Sequence, residues 1–213
     1  IEKAKKPIII CGAGIKNSNS QDEVISLSKS LNIPLVSSAG HGDVIPFDCD
    51  LYAGQMGPRG NKVASYLANH ADLILAIGTR LGFNSTFYSY DNISKSAKIV
   101  QVDIDPIALG RYFPIELGIN NDAKKFLENL SSLISLKKFN QNNTVWVNNF
   151  FNEKNKYYKN RDNEADTNSK IIQPSGLFKE LREILPKNSS VTLDAGTLCL
   201  QATDQFYFAK PKS

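Results

Sequence analysis

The spacing of apolar residues changes along this chain in a way that separates strands from helices. Residues 7–11, PIIIC, form an unbroken apolar run rich in isoleucine, as expected for a parallel strand covered on both faces. The run leads into Gly-Ala-Gly at 12–14. From Gln21 to Leu31 the period lengthens: Val24, Leu27, Ser28 and Leu31 recur at helical spacing behind a polar, acidic start. IPLVSS (33–38) predicts a second strand. A loop of Gly, His and Asp follows, then a helix from about Asn61 to His70 and a third strand, ADLILAIG (71–78). A fourth strand, AKIVQVDID (97–105), stops at Pro106; a short helix, a strand near IELGI (115–119) and the helix NDAKKFLENLSSLI (121–134) complete the series. Repeated strand, crossover and strand units imply right-handed connections and an α/β fold with a doubly wound parallel sheet, Rossmann-like, ending near Leu136.

The pattern then changes. Residues 137–173 hold most of the long polar runs, yet Trp146, Phe150, Tyr157 and Tyr158 could bury one face of a helix from about Val145 to Asn160, so this stretch reads as a linker containing a helix. At QPSGLFKELREILP a further helix begins, with Ser175 as its expected cap and Leu177, Leu181 and Leu185 recurring every four residues. Val191 to Leu193 read as a buried strand, Asp194-Ala195-Gly196 as the tight loop at its end, and Leu198 to Phe208 as a helix or turn leading away. Residues 174–213 are thus expected to form the first helix-strand unit of a second α/β domain, whose remaining strands are absent from the chain.

Composition adds exclusions. With 213 residues and 41% apolar content the chain can bury a sizeable core. Lys and Arg number 25 against 21 Asp and Glu; a net charge of +4 with both signs interspersed gives no basic stripe for nucleic acid. The three cysteines, Cys11, Cys49 and Cys199, show no zinc spacing, and Cys11 and Cys199 sit in apolar runs as reduced buried thiols do. With no long apolar stretch and no apolar leader among the first residues, the expectation is a cytoplasmic protein without a membrane partner.

In a sheet of this kind the chemistry sits at the carboxyl ends of the strands. Gly12 and Gly14 lie there, as do SSAGHG after the second strand, GTRLG after the third and VDIDP after the fourth. An anionic diphosphate would suit Gly12, Gly14 and Arg80, with contacts from the glycine N–H groups; the alternative reading of Gly-Ala-Gly is a tight turn between strand and helix. Asp103 is placed to accept hydrogen bonds from a ribose; its alternative reading is a helix cap before Pro106. His41, in a strand-end loop, is open to a ligand contact or to none, and His70 reads as a helix-end or surface residue. Met56 and Trp146 read as packing residues.

From KKPIIICGAGI, through IPLVSSAGHGDVIPFDCDLYAGQMGPRGNKVASYLANHADLILAIGTRLG, to AKIVQVDIDPIALGRYFPIELGINNDAKKFLENL, the chain resembles the central domain of thiamine-diphosphate enzymes of the acetolactate synthase group. The resemblance covers residues 1–136, and LREILPKNSSVTLDAGTLCLQATDQFYF looks like the opening of the family's C-terminal diphosphate-binding domain. It implies three divisions: a central domain (1–136), a linker (137–173) and the start of the third domain (174–213). Family members activate thiamine diphosphate with a glutamate from a preceding domain and hold Mg2+ with a Gly-Asp-Gly…Asn motif in the third; neither occurs in these 213 residues. The chain alone is therefore expected to be inactive, with no catalytic or metal-binding residue of its own. Within the whole enzyme it would serve decarboxylation of a small 2-oxo acid and transfer of the remaining acyl unit, alongside the other domains of its own chain and in a homodimer or tetramer.

The resemblance also implies a nucleotide in the central domain. Acetolactate synthases carry FAD there, relatives bind ADP or coenzyme A, and others bind none. By position Gly12 and Gly14 match the glycines after the first strand, Ser38 and Ala39 a pair after the second, Arg80 an arginine on the diphosphate, and Asp103, Ile104, Asp122 and Ala123 the adenosine end. Gly196 and Thr197 match the loop that approaches the diphosphate of thiamine diphosphate. Arg59 of GPRG stands where flavin-binding members have histidine, and Gly82 of RLGF where they have an acid, which favours an ADP or coenzyme A-type nucleotide over FAD. GTRLGFNSTF is similar to sulfoacetaldehyde acetyltransferases, which gives a second reading inside the enzyme class; a non-catalytic nucleotide-binding module is a third. The Gly-Ala-Gly start also resembles sirtuin deacylases, but their further motifs are missing.

Overall fold

The computed structural model describes residues 1–136, 142–165, 168, 170–194 and 196–209. The chain runs β1 (Pro7–Cys11), α1 (Ala13–Asn17), α2 (Gln21–Leu31), β2 (Leu35–Ser37), β3 (Tyr52–Gln55), α3 (Lys62–His70), β4 (Leu73–Ile77), α4 (Phe83–Thr86) and β5 (Lys98–Asp103). A 3-10 turn at Pro106–Ala108 leads to β6 (Leu117–Asn120), α5 (Ala123–Ser135), α6 (Thr144–Glu164), α7 (Pro174–Ile184) and α8 (Thr197–Gln205). The six strands form one sheet in the order β3-β2-β1-β4-β5-β6, and every neighbouring pair is parallel. Central β1 sets the register, with Ile9 opposite Leu35 on one side and Leu75 on the other.

Side chains alternate faces along a strand, so an all-apolar strand serves two cores at once. Ile8 and Ile10 of β1, with Ile74 and Ala76 of β4, face the layer made by α3 and the first turns of α6. Ile9 and Cys11, with Leu73, Leu75 and Ile77, face the layer of α2 and α5. Trp146, Val147 and Phe150 of α6 are buried in the first of these cores, and the Trp146 indole Nε1 donates to the Pro7 carbonyl at 3.2 Å. The helix expected inside the linker thus completes a face of the sheet with its first turns.

The doubly wound α/β sheet and its two long apolar strands are present. Edge strand β3 was not anticipated, because YAGQ has a glycine and no β-branched residue; it forms by pairing with β2. Short helices α1 and α4 are likewise absent from the sequence expectations. Ser175 is not the cap of α7: Gln173 holds that position and Pro174 takes the first helical one, where its missing N–H costs nothing. Val191–Leu193 is not a buried strand either. The described residues hold no neighbouring strand to pair with it, and Leu193 is 39% exposed.

The last described segment folds back on the first. After α8, Phe206–Phe208 lies along the loop that follows β2: Phe47 N donates to Phe208 O at 2.9 Å and the Phe47 and Tyr207 rings stack. Arg161 sits between the Tyr158 and Tyr207 rings, with 4.7 and 5.0 Å to their centroids.

Candidate functional site

Between β1 and β4 the strand order reverses, so the chains leaving their carboxyl ends part to opposite faces and leave a crevice. A cleft of about 430 Å3 opens there. Its walls come from Gly14, Asn17 and Ser18 after β1, Gly78 and Arg80 after β4, Asp103 to Asp105 after β5, and Asn121 to Ala123 after β6. Of the residues singled out from sequence, Gly14, Arg80, Asp103, Ile104, Asp122 and Ala123 therefore share one cleft.

Of the two readings of Gly-Ala-Gly, the N–H geometry follows the tight turn. Gly12 N donates to Ile77 O and Gly14 N to Gly78 O, each at 3.0 Å. A Cβ on Gly12 would lie 2.1 Å from Gly78 O, and one on Gly14 2.5 Å from Gly78 Cα. Gly78 itself has φ +61, in the left-handed region that glycine enters without strain. These glycines let the turn after β1 press against the end of β4 and so shape the cleft floor.

Two amides hold the walls, Gln101 buried and Asn120 exposed. Gln101 in β5, 2% exposed, donates through Nε2 to the carbonyls of Thr79 and Ala108 and accepts from Gly110 N, which ties the loop carrying Arg80 to the 3-10 turn. Asn120 donates to the Asp103 and Ile104 carbonyls at 3.1 and 2.9 Å. Asp103 Oδ1 accepts from Asp105 N at 3.0 Å. The cap before Pro106 is Asp105, which accepts from Ile107 N, and not Asp103. Asp122 caps α5, accepting from Lys124 N and Lys125 N. Arg80 is exposed and has no salt-bridge partner among the described residues. Ile104, 73% exposed, leaves an apolar face at the cleft rim. Asn17, Ser18, Asp105 and Asn121 were missed from sequence, though each lies within a few residues of a strand end already marked.

Ser38, Ala39 and Arg59 lie elsewhere. Ser38 is buried, its N–H on Cys11 O, and Ala39 N donates to Ser85 Oγ at 3.0 Å. Ala39 and Arg59 line a second cavity of about 210 Å3 over the β3 end, shared with Asn84, Phe87, Cys199 and Thr203. The Arg59 guanidinium lies 5.8 Å from the Phe87 ring centroid. Helix α8 roofs this cavity: Gln55 Nε2 donates to Thr203 O at 3.0 Å and Thr203 Oγ1 to Arg59 O at 2.8 Å. Asn61, which caps α3, also donates to Asp204 Oδ1 at 3.0 Å, and Tyr157 OH to Asp204 Oδ2 at 2.6 Å. Gly196 and Thr197, at the start of α8, are exposed, and a Cβ on Gly196 would meet nothing within 4 Å.

Several titratable groups outside the clefts are engaged within the fold. Lys16 pairs with the buried Asp43 carboxylate beside His41. Burial lowers the His41 pKa, with Asp43 opposing that shift and Lys16 adding to it. His70 Nδ1 lies 2.8 Å from Tyr66 O, and its ring stacks on Tyr66 at the end of α3. Burial pushes the Cys11 and Cys49 thiols up, and Met56 is fully buried. Among the described residues no group of three or more His, Cys, Asp or Glu could hold a metal ion, and no helix is long and apolar enough to cross a membrane.

Comparison with known proteins bears on the whole chain. It is 28% identical over its full length to a sulfoacetaldehyde acetyltransferase of Castellaniella defragrans. A sulfoacetaldehyde acetyltransferase of Roseovarius nubinhibens is 36% identical over 63% of the chain and 23% of the relative. A probable acetolactate synthase large subunit of Methanocaldococcus jannaschii is 28% identical over all of the chain and 36% of the relative. The chain spans about two fifths of the length of such relatives, 39% for the first. The profile of the family described as "Thiamine pyrophosphate enzyme, central domain" matches residues 1–130, which is more than half of the chain and takes in the whole parallel sheet. The chain belongs to the thiamine pyrophosphate enzyme central-domain family.

Proposed function

We propose that this chain is the central part of a thiamine-diphosphate-dependent 2-oxo acid decarboxylase and carboligase resembling the acetolactate synthase large subunit. Residues 1–136 are read as its central domain, 137–173 as a linker whose helix packs back on that domain, and 174–213 as the start of its diphosphate-binding domain. The observation that carries the reading is the family match over residues 1–130 together with relatives aligned along the entire chain. Thiamine diphosphate, when bound, supplies the nucleophilic carbon that takes up the 2-oxo acid. Gly196 and Thr197 suit an approach to its diphosphate, since both are exposed at the start of α8. Mg2+ and the partner copy of a homodimer or tetramer belong to the whole enzyme in this reading.

A second reading, sulfoacetaldehyde acetyltransferase, is favoured by the relatives of that name. Protein carrying this segment with its flanking domains should form acetolactate and carbon dioxide from two pyruvates under the first reading, and acetyl phosphate and sulfite from sulfoacetaldehyde and phosphate under the second. Formation of neither product with thiamine diphosphate and Mg2+ present would overturn both.

In the switch-point cleft the reading is an adenine nucleotide of ADP or coenzyme A type, in preference to FAD. Arg80 would contact the diphosphate, bidentate geometry being open to a guanidinium. Asp103 would accept from the ribose, and Ile104, Asp122 and Ala123 would border the adenosine. Gly12, Ser38 and Ala39 support the loops around this edge, and Arg59 lies in the separate cavity under α8. Arg80→Ala should weaken ADP binding by about 1.5–3 kcal/mol if it meets a charged phosphate; unchanged affinity by calorimetry would remove that role. Protein purified yellow with stoichiometric FAD would reverse the preference.

A further inference from the structure

The cleft at the switch point is polar in an uneven way. Arg80 is the only cationic side chain lining it among the described residues, whereas Asp103, Asp105 and Asp122 all line its β5 and β6 walls. Each of these carboxyl groups is fixed through Oδ1 by a backbone N–H of the same wall. None of the three has a salt-bridge partner among the described residues, and the nearby Lys124 is paired with Glu23. The wall's carboxylates are therefore fixed in place without a salt bridge among the described residues, although Asp122 still interacts electrostatically with Lys124.

If Arg80 takes the diphosphate, the sugar falls toward Asp103 and the base toward Ile104, because Arg80 follows β4 and these two lie at the end of the neighbouring strand β5 in the same cleft. A carboxylate is an acceptor only, so it suits the donor hydroxyls of a ribose and opposes a phosphate attached to them. We propose that the three carboxylates make this cleft selective for adenine nucleotides whose 2′ and 3′ hydroxyls are both free, with Asp103 the main discriminator. Nucleotides phosphorylated on the ribose, including those of coenzyme A type, are rejected. This rests on the reading of the cleft as an adenine-nucleotide site and narrows it.

The probes are ADP and its 3′-phosphorylated counterpart, titrated into the chain by calorimetry at low and at physiological salt. ADP should bind at least tenfold more tightly at low salt. The ratio should shrink as salt rises, since exposed charges are screened over roughly 8 Å at physiological ionic strength. Asp103→Asn should narrow the ratio at least threefold, chiefly by improving the 3′-phosphorylated ligand; Asp105→Asn, whose site is exposed, gives a second variant if the first fails to fold. Equal affinities in the parent chain would overturn the inference and leave the nucleotide reading standing. A large ratio that neither variant changes would overturn the part given to the carboxylates. Binding of neither nucleotide would overturn the nucleotide reading, and this inference with it.

Discussion

Replacing Gly12 by alanine tests whether this glycine serves packing against β4. The added Cβ would sit 2.1 Å from Gly78 O, 2.7 Å from Gly78 C and 2.5 Å from Thr79 Cβ. Carbon atoms prefer about 3.5–4.0 Å, so something must move by more than about 1 Å. Two of the three obstacles are backbone, and they belong to a turn bonded on both sides: Gly78 N donates to Val102 O, and Gly14 N to Gly78 O. Overpacking of this kind costs about 1–3 kcal/mol. Loss of the Gly12 N to Ile77 O bond adds about 0.5–1.5 kcal/mol, giving roughly 2–4 kcal/mol in all. For a chain of this size each kcal/mol lowers the Tm by about 2–4 °C, so thermal unfolding followed by circular dichroism should fall by about 4–16 °C. Gly82→Ala is the control. A Cβ there meets nothing within 4 Å, and only the helix-start preference of glycine at α4 is lost, within about 1 kcal/mol. A Gly12→Ala protein melting within about 2 °C of the parent would refute the packing argument.

Two further outcomes follow from the far end of the chain. Phe150, 1% exposed in the core beneath α6, should cost about 3–5 kcal/mol on truncation to alanine, while Val145, 75% exposed on the same helix, should cost under about 0.5 kcal/mol; similar losses in denaturant titrations would mean that α6 does not pack on the sheet. Burial raises the Asp204 pKa, against the lowering influence of Tyr157 and Arg161, so folding favours its protonated form. That contribution is full below the ordinary carboxylate range and is lost as the pH rises through the raised value; amide protection of α8 should decline over that interval, and a decline that persists in Asp204→Asn would exclude Asp204 as its cause.

The parallel sheet was readable because β1 and β4 are apolar at every position, which only a strand covered on both faces requires. The helices α2 and α5 were readable from their spacing, and Asn61 and Asp122 are caps of the usual kind. β3 was not, since its four residues gain strand geometry from pairing with β2 and from burial of Tyr52 and Ala53 rather than from propensity. The reverse error at Val191–Leu193 has the same origin: an apolar run specifies a strand only where a neighbour can pair with it. At the cleft, Arg80 and Asp103 were legible as polar residues just past strand ends. The use of the Gly12 and Gly14 N–H groups was not, because a glycine pair after a strand looks the same whether it faces a phosphate or another strand's turn.

The two cavities on the carboxyl edge of the sheet are held by different residues. The switch-point cleft depends on β1, β4, β5 and β6, with Gln101 and Asn120 joining its loops; none of these bonds involves α8. The other cavity depends on β3 and on amides that serve twice. Gln55 accepts from Gly40 N and donates to Thr203 O, and Asn61 caps α3 while donating to Asp204. The loop that shapes the second cavity and the helix that roofs it are thus fixed by the same side chains, so a change at Gln55 or Asn61 moves both together. The proposed nucleotide contacts at Arg80 and Asp103 lie outside that network. In the proposed enzyme this arrangement lets Gly196 and Thr197 be positioned from the β3 side while the nucleotide cleft keeps its shape on the other side of the switch.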